Sequence, residues 1–235
     1  LKLKLYVIYN DGNADRAIEL NTSLQDCACC GAKVSSTEWL DFMCHNLGAD
    51  EAADPFTPSA ANHGAKYKWG VKTVALTQAQ DQDPAYDSGI TDWTNITPPP
   101  GTTGINWLST DNPCPPGWRV PTIEEWQSVI DNNDEYRTDN GTSWTVANAT
   151  QSWSASNTDF DNGIKFGDAL VLPAAGYRSH SNGSLSNRGQ NGDYWSSTAN
   201  TSKGRRLYIL GNDHGADAND GGYRSYGFSV RCVAE

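Results

Sequence analysis

Short stretches of the chain have the hydrophobic pattern of β-strands, and loops rich in Gly, Asn, Ser and Thr separate them. The first nine residues, LKLKLYVIY, predict an amphipathic strand followed by a turn at Asp11 and Gly12. We expect residues 1–22 to be a terminal strand that ends an upstream domain or attaches the chain as a pilin strand does, and residues 23–235 to form the main domain. Short apolar runs predict further strands at residues 39–44, 169–173, 194–197, 207–210 and 228–233.

One segment instead has the spacing of an α-helix. Thr122 is a candidate N-cap, and Glu125 stands three residues later, where a capping box needs it. A buried stripe should consist of Ile123, Trp126, Val129 and Ile130. The polar residues 131–134 should end the helix. One or two helices, many short strands and long loops predict an α+β fold.

Composition narrows the class of protein. A chain of 235 residues suits one large domain, with or without an appendage. Aromatic residues make up 10%, which excludes a disordered chain, and no apolar run approaches the roughly 18 residues of a membrane span. The net charge of −11 would repel nucleic acid and anionic lipid. We therefore expect no nucleic-acid partner and no membrane insertion within this chain.

The six cysteines allow two interpretations. Cys27, Cys30, Cys44 and His45 have spacings that a zinc site could use. Disulfides in an exported protein are the favoured interpretation, with the pairing among Cys27, Cys29, Cys30 and Cys44 left open. A bond between Cys114 and Cys232 would close a loop of more than a hundred residues and contribute about 4–5 kcal/mol.

Several motifs occur in a fixed order along the chain. They are FMCHNLG at 42–48, YKWG at 67–70, DNPCPPGWRVPT at 111–122, EEW at 124–126, LPAAGYR at 172–178, YWSST at 194–198 and GFSVRC at 227–232. In this order they resemble the Fibrobacter succinogenes major paralogous domain, which is common in surface proteins of Bacteroidetes. The resemblance implies a C-type-lectin-like fold related to the formylglycine-generating enzymes, but it says little about function.

The last forty residues also resemble the variable proteins of diversity-generating retroelements from Bacteroides and their phages. In those proteins, a segment between a YWSS block and a GFSVRC block carries diversified, solvent-facing residues. Residues 199–226 lie between the same blocks here. Strand alternation predicts that Leu207 and Ile209 face the core while Arg206, Tyr208 and Leu210 face outward. Residues 211–226 are almost free of core residues and have the Tyr, Arg, Asn, Ser and Gly content of paratopes, although an ordinary surface loop would look similar.

We therefore expect the ligand to contact the outward residues of this segment. The strongest candidates are Tyr208, Tyr223, Tyr226, Arg206 and Arg224, because aromatic and arginine side chains dominate binding hot spots. The full set adds Leu210, Asn212, Asp213, His214, Asp217, Asn219 and Asp220.

Metal binding and catalysis have weaker support. The triplets with which C-type lectins bind calcium are missing, although Asp81, Asp83 and Asp87, or Asp213, Asp217 and Asp220, could chelate a hard cation. We expect no cofactor, with calcium as the open alternative. The formylglycine-generating relatives use paired cysteines near the C-terminal end of the fold, where this chain has Cys232 alone, so we expect no enzyme.

Tryptophans could also form a carbohydrate-stacking platform. Trp118, Trp126 and Trp195 lie inside the motifs and should be core residues, whereas Trp144 and Trp153 lie in polar surroundings and should be exposed.

The resulting hypothesis is a non-catalytic binding protein with a diversified face. It would be displayed on a cell surface, with or without a lipid anchor, or on a phage virion, and would bind a protein or glycan receptor. The alternatives are a polysaccharide-binding module and a structural component of a pilus or envelope.

Overall fold

A computed structural model describes residues 2–10, 14–23, 30–94, 96, 104–139, 142–145, 153–211 and 215–235. The helices in these ranges are α1 (Gln78–Gln82) and α2 (Ile123–Asn132). The strands are β1 (Lys2–Asn10), β2 (Asp15–Ser23), β3 (Gly31–Lys33), β4 (Trp39–Asp41), β5 (Trp118–Arg119), β6 (Glu135–Asp139), β7 (Thr142–Thr145), β8 (Asn162–Phe166), β9 (Leu170–Pro173), β10 (Tyr177–Arg178), β11 (Leu185–Ser186), β12 (Gly192–Asn200), β13 (Lys203–Leu210), β14 (Gly215–Gly222) and β15 (Val233–Ala234). The chain is α+β, as predicted.

Helix α2 begins where the sequence predicts. The Thr122 hydroxyl accepts a hydrogen bond from the Glu125 backbone N–H at 3.1 Å, and the Glu125 carboxylate accepts one from the Thr122 N–H at 2.8 Å. This capping box satisfies backbone donors that the first turn would leave unpaired. Ile123, Trp126 and Val129 are buried on one face of the helix.

Two antiparallel sheets supply most of the main core. One has the strand order β7-β6-β8-β9, and the other has the order β12-β13-β14. Helix α2 packs against the second sheet, and apolar side chains of both sheets join it in one cluster. From the sheets these are Ile164, Phe166, Leu170, Leu172, Tyr194, Leu207, Ile209 and Ala218.

A second cluster surrounds the C-terminal motif. Trp195 packs on Phe228 with ring centroids 4.1 Å apart, and the disulfide Cys114–Cys232 lies in the same cluster. The predicted strand at 228–233 is wrong, because β15 covers its last residue alone. Phe228 and Ser229 instead form single bridges to Tyr67 and Tyr194, which lie in different parts of the chain.

The N-terminal segment contains two strands where we expected one. Strand β1 confirms the predicted pattern, and it pairs along its whole length with β2, from Lys2 opposite Ser23 to Asn10 opposite Asp15. The predicted turn at Asp11 and Gly12 lies outside the described residues. The hairpin is a separate two-stranded sheet.

A second disulfide, Cys30–Cys44, decides between zinc and disulfides. It uses two of the four groups that a zinc site would need, so the zinc interpretation is wrong; Cys27 and Cys29 lie outside the described residues. Disulfides form in oxidising compartments, so the two bonds indicate an extracellular environment. Among the described residues, no helix is both long and apolar enough to cross a bilayer.

Three of the predictions about tryptophan burial are confirmed, and one is wrong. Trp126 and Trp195 are fully buried and Trp118 is partly buried, as expected. Trp153 is also buried, at 5% exposure, so its predicted exposure is wrong. Its polar sequence neighbours hid a long-range contact, in which the Arg137 guanidinium lies 4.2 Å from its ring. The side chain of Trp144 lies outside the described part of the chain.

The two disulfides should stabilise the fold by different amounts, because they close loops of different length. Cys114–Cys232 spans 118 residues, so replacing both cysteines by serine should cost about 4–5 kcal/mol of unfolding free energy. The same change at Cys30–Cys44, which spans 14 residues, should cost about 3 kcal/mol. Denaturant unfolding of the two double variants measures both losses. Equal losses would contradict this account.

Candidate ligand-binding surface

Strand β13 places its side chains alternately inward and outward. Leu207 and Ile209 are buried in the main core, whereas Arg206, Tyr208 and Leu210 are partly exposed on the other face. This is the alternation that the sequence predicts. Neighbouring β12 is fully buried at Asp193 and Trp195, which lie opposite Tyr208 and Arg206. Because residues opposite each other in a β-ladder point to the same side of the sheet, Asp193 and Trp195 flank the Tyr208 and Arg206 side chains, and this face of β13 is only partly exposed.

Residues 215–222 form the edge strand β14, which corrects the expectation of a segment almost free of core residues. Ala218 is 2% exposed within the main core, and a Cβ at Gly222 would lie 2.8 Å from Phe228. The strand is also attached to β6, where Glu135 accepts a hydrogen bond from the Ala216 N–H at 3.2 Å. Burial raises the pKa of Glu135 to about 7. Core positions filled by Gly and Ala gave no hydrophobic signal in the sequence.

A cluster of aromatic rings lies beside β13 and β14, and we call it the Tyr surface. It consists of the contacting rings of Tyr177, His180, Tyr223 and Tyr226, together with Tyr208 on β13. The His180 ring lies 4.5 Å from Tyr223 and 4.9 Å from Tyr226, and Tyr177 meets Tyr226 edge-on at 5.5 Å. Tyr223 is half exposed, and Tyr226 stacks on buried Phe228 at 5.1 Å. The sequence did not identify Tyr177 and His180 as site residues, because they come from the preceding β10 region.

Arg206 links the Tyr surface to the core. Its guanidinium lies 4.5 Å from the Tyr208 ring and 5.1 Å from the Phe228 ring, and it pairs with Asp193 and Asp220. Burial raises the pKa of Asp193 to about 6, against the attraction of Arg206. Burial is the largest single effect on the pKa of Asp220 and acts to raise it, but the hydrogen bond and charge of Arg206, the Gly221 N–H and the charge of Lys203 together leave that pKa below its usual value. These contacts hold the guanidinium in one position.

The other predicted contact residues are found in different environments. Asp217 is exposed on β14, and Tyr226 is partly buried. Arg224 is 7% exposed and stacks on Trp69, so its predicted outward position is wrong. The turn after β14 directs it inward, while Tyr223 beside it stays accessible. Outside the described residues lie Asn212, Asp213, His214 and the side chain of Asn219.

A buried ion cluster supports the strand and turn that carry Tyr177 and His180. Asp81 accepts hydrogen bonds from Arg178 at 2.6 Å and from Arg188 at 2.9 Å, and all three side chains are almost wholly buried. Arg178 follows Tyr177 on β10, and its guanidinium also donates to the backbone oxygen of Tyr86 at 2.5 Å. The cluster joins α1 to β10, two segments that are distant in sequence.

Lys66 completes the buried cluster. Its ammonium donates to the carbonyl oxygens of Ala175 and Gly176 at 3.1 and 3.3 Å and to the Ser229 hydroxyl at 3.1 Å. Burial lowers the pKa of Lys66 to about 8. For Asp81, burial acts to raise the pKa, and the nearby Lys66, Arg178 and Arg188 lower it below the usual value. The sequence analysis missed this cluster, because its members are polar residues that lie far apart in the chain.

These pairs change the calcium alternatives. The Asp81 carboxylate is occupied by two guanidinium groups, so a site at Asp81, Asp83 and Asp87 is wrong. At the second candidate, Asp220 pairs with Arg206, and Asp213 lies outside the described residues. Within the part of the chain that the structure describes, no group of three or more His, Cys, Asp or Glu residues is arranged to hold a metal ion.

A cleft of about 360 Å³ lies beside Trp93. The Lys68 ammonium lies 4.1 Å from the Trp93 ring, and a Cβ at Gly183 would lie 2.7 Å from the same indole. The indole N–H donates to the Ser225 carbonyl at 3.1 Å. Trp93 is thus occupied by contacts within the protein. The cleft is lined by Lys68, Val71, Thr73, Val74, Ala75, Ile90, Asp92, Trp93, Thr94 and Ile96.

Comparison with protein families identifies the family of this domain. The sequence profile of the Fibrobacter succinogenes major domain matches residues 13–234. The chain belongs to this family. The matched residues include the Tyr surface, the ion cluster and both disulfides. No curated protein and no solved structure matched the chain.

Removing the charge of Asp81 should destabilise this family domain strongly. Asp81→Asn leaves two buried guanidinium groups without their carboxylate, and breaking such a pair costs about 3–5 kcal/mol. The matched control is Asp168→Asn, which removes a fully exposed carboxylate paired with Lys165 and should leave stability nearly unchanged. Urea unfolding compares the two. Similar stabilities for both variants would show that the buried cluster is not needed.

Proposed function

We propose that this domain is a non-catalytic binding protein displayed outside the cell, and that the Tyr surface is its binding face for a protein receptor. The observation that carries the proposal is a group of partly exposed tyrosines held by fixed contacts. Tyr208 is anchored by Arg206 and by a hydrogen bond from Asn191 to its hydroxyl at 2.8 Å. Tyr223 and Tyr226 are anchored by His180.

Rigid tyrosines favour binding for an energetic reason. A side chain that is already ordered loses little conformational entropy when a ligand contacts it. Tyrosine also combines a large apolar ring with a hydroxyl, which is why paratopes and hot spots are rich in it. The C-type-lectin-like fold expected from the family resemblance would present such a surface on a stable framework.

The proposal has a finer part, in which residues 199–226 are the variable region of a diversity-generating retroelement. Strand β13 supports it, because its exposed positions alternate with buried ones. Changes at Tyr208 and Leu210 would alter the surface, while Leu207 and Ile209 hold the core. A change at Arg206 would alter the surface too, but it would leave buried Asp193 without its cation. The domain would then be carried by a bacterial surface protein, with or without a lipid anchor, or by a phage virion.

One other function has an observation in its favour. The β1–β2 hairpin is a sheet of two nine-residue strands, and such hairpins are marginally stable alone. Pairing with a neighbouring subunit would stabilise it, as in a pilus or envelope component. Formation of ordered filaments by the purified chain would favour this function over receptor binding.

Alanine substitutions on the Tyr surface should weaken binding. The purified domain is first screened against arrays of surface proteins and of glycans, with and without calcium. Tyr208→Ala, Tyr223→Ala and Tyr226→Ala should each reduce affinity for the bound protein at least about tenfold, since hot-spot residues contribute 1–2 kcal/mol or more. Trp39→Ala, which removes a half-exposed ring on β4, should leave affinity unchanged.

Two results would contradict receptor binding through this surface. One is unchanged affinity in all three tyrosine variants. The other is binding to polysaccharides alone, which would indicate a polysaccharide-binding module.

The variable-region proposal makes a prediction about the flanking DNA. A near-duplicate of the segment that encodes residues 199–226 should lie beside a reverse-transcriptase gene and differ chiefly at adenines. The differences should fall in codons for exposed residues such as Tyr208 and Tyr223, and they should spare Leu207, Ile209 and Ala218. Sequencing the locus tests this, and a locus without such a repeat would contradict the proposal.

A further inference from the structure

The cleft beside Trp93 has walls that are mostly apolar. They include Val71, Val74, Ile90 and Ile96. Val74 is 37% exposed, so a ligand in solution can reach this lining. The volume of about 360 Å³ lies near the lower end of the roughly 300–1,000 Å³ that is usual for ligand pockets. The cleft therefore suits one apolar side chain with its adjoining backbone better than a long chain.

Lys68 supplies a positive charge to this apolar cleft. Its ammonium donates to the Thr94 carbonyl at 2.8 Å and lies 4.1 Å from the Trp93 ring. Among the described residues, no carboxylate forms an ion pair with it. Partial burial lowers the pKa of Lys68, because the ammonium loses part of its hydration. An anionic group on a ligand would give this charge the partner that the protein does not supply.

One wall of the cleft is attached to the turn that carries two residues of the Tyr surface. Ser225 lies in this turn, between Tyr223 and Tyr226. Its carbonyl accepts a hydrogen bond from the Trp93 indole N–H at 3.1 Å, and its hydroxyl accepts one from the Ile96 N–H at 2.5 Å.

A second turn makes the same connection. Residues 179–184 form a turn that contains His180, and the Gly183 N–H donates to the Ser179 carbonyl at 2.9 Å within it. A Cβ at Gly183 would lie 2.7 Å from the Trp93 ring and 2.9 Å from Ile90. The cleft and the Tyr surface are thus built on the same two turns, so a ligand that covers the Tyr surface lies beside the cleft.

We propose that this cleft binds the C-terminal residue of the protein ligand, with its apolar side chain against Val74 and its terminal carboxylate on the Lys68 ammonium. This contact is part of the binding face in the proposed function, on which the inference rests. A chain terminus is the place where a protein carries a carboxylate directly beside the side chain of an apolar residue. A charge-assisted hydrogen bond to Lys68 is about twice as strong as a neutral one, and burial of the side chain adds a hydrophobic contribution.

Two further lining residues favour a peptide over a sugar. Trp93 is in contact with Lys68 and Gly183, so it acts as a fixed wall and not as a free platform for stacking. Asp92 is exposed and would repel a second anion, but its carboxylate can accept the peptide N–H of the terminal residue.

Three small probes test the proposal by NMR titration of the intact domain. Acetylglycylleucine has the apolar side chain and the free carboxylate, its C-terminal amide lacks the carboxylate, and acetylglycylglutamine lacks the apolar side chain. We expect acetylglycylleucine to shift the Val74 methyl resonances in a saturable way. The other two probes should bind at least about tenfold more weakly, because each loses one of the two interactions.

Substitutions in the cleft give an independent measurement. Lys68→Met keeps an apolar stem and removes the charge, so it should weaken acetylglycylleucine at least about tenfold and abolish the preference over the amide. Val74→Asp should weaken it similarly, because it places a like charge beside the ligand carboxylate. The matched control is Lys72→Met, which changes an exposed lysine of the same loop that does not line the cleft and should leave affinity unchanged.

Equal affinities of the native domain for acetylglycylleucine and its amide would overturn the proposal, even if the Lys68 and Val74 variants failed to fold. Unshifted Val74 resonances at saturating acetylglycylleucine would overturn it as well. The three tyrosine variants separate this contact from the proposed function, because they should lose receptor affinity and still bind acetylglycylleucine. If the probe does not bind but those variants lose receptor affinity, the cleft proposal fails and the proposed function stands.

Discussion

The burial of residues 227–233 is the constraint on which the rest of the structure depends. This short segment runs through the centre of the domain, and distant parts of the chain hydrogen-bond to it. The Leu47 and Met43 N–H groups donate to Val230 and Cys232 at 2.9 Å. Arg231 is fully buried and donates to Asn46 and to three backbone carbonyls. Because so many partners meet here, the segment cannot move without disturbing most of the domain.

The same constraint explains how the surface beside it can be both aromatic and ordered. Phe228 packs inward on Trp195 and carries Tyr226 on its other side. The stack continues to Tyr177 and His180, which the ion cluster around Asp81 holds in place through Arg178. Order in the core is thus transmitted to the Tyr surface through direct contacts. A binding face built this way can exchange its outermost side chains at little cost in stability, because exposed substitutions usually change it by about 0.5 kcal/mol or less.

The charges buried inside the domain differ from its overall charge. The chain carries a net charge of −11, yet several of its arginines lie buried near its centre. Asp81 neutralises part of this charge, and backbone carbonyls accept most of the remaining donors. Arg224 departs from this pattern, and it does so beside the surface that we propose for binding.

The sequence by itself determined those elements that depend only on residues close together in the chain. The capping box at Thr122 determined where α2 begins, and alternation determined which side of β13 faces the core. The tertiary structure alone decided the positions of Asp81, Trp153 and Arg224, which all lie in polar sequence and are all buried. Their burial depends on partners far away in the chain, such as Arg178, Arg137 and Trp69. The spacing of hydrophobic and polar residues within a short segment contains no information about such a contact. A polar residue is buried when the fold brings it a partner, and that pairing is a property of the whole chain.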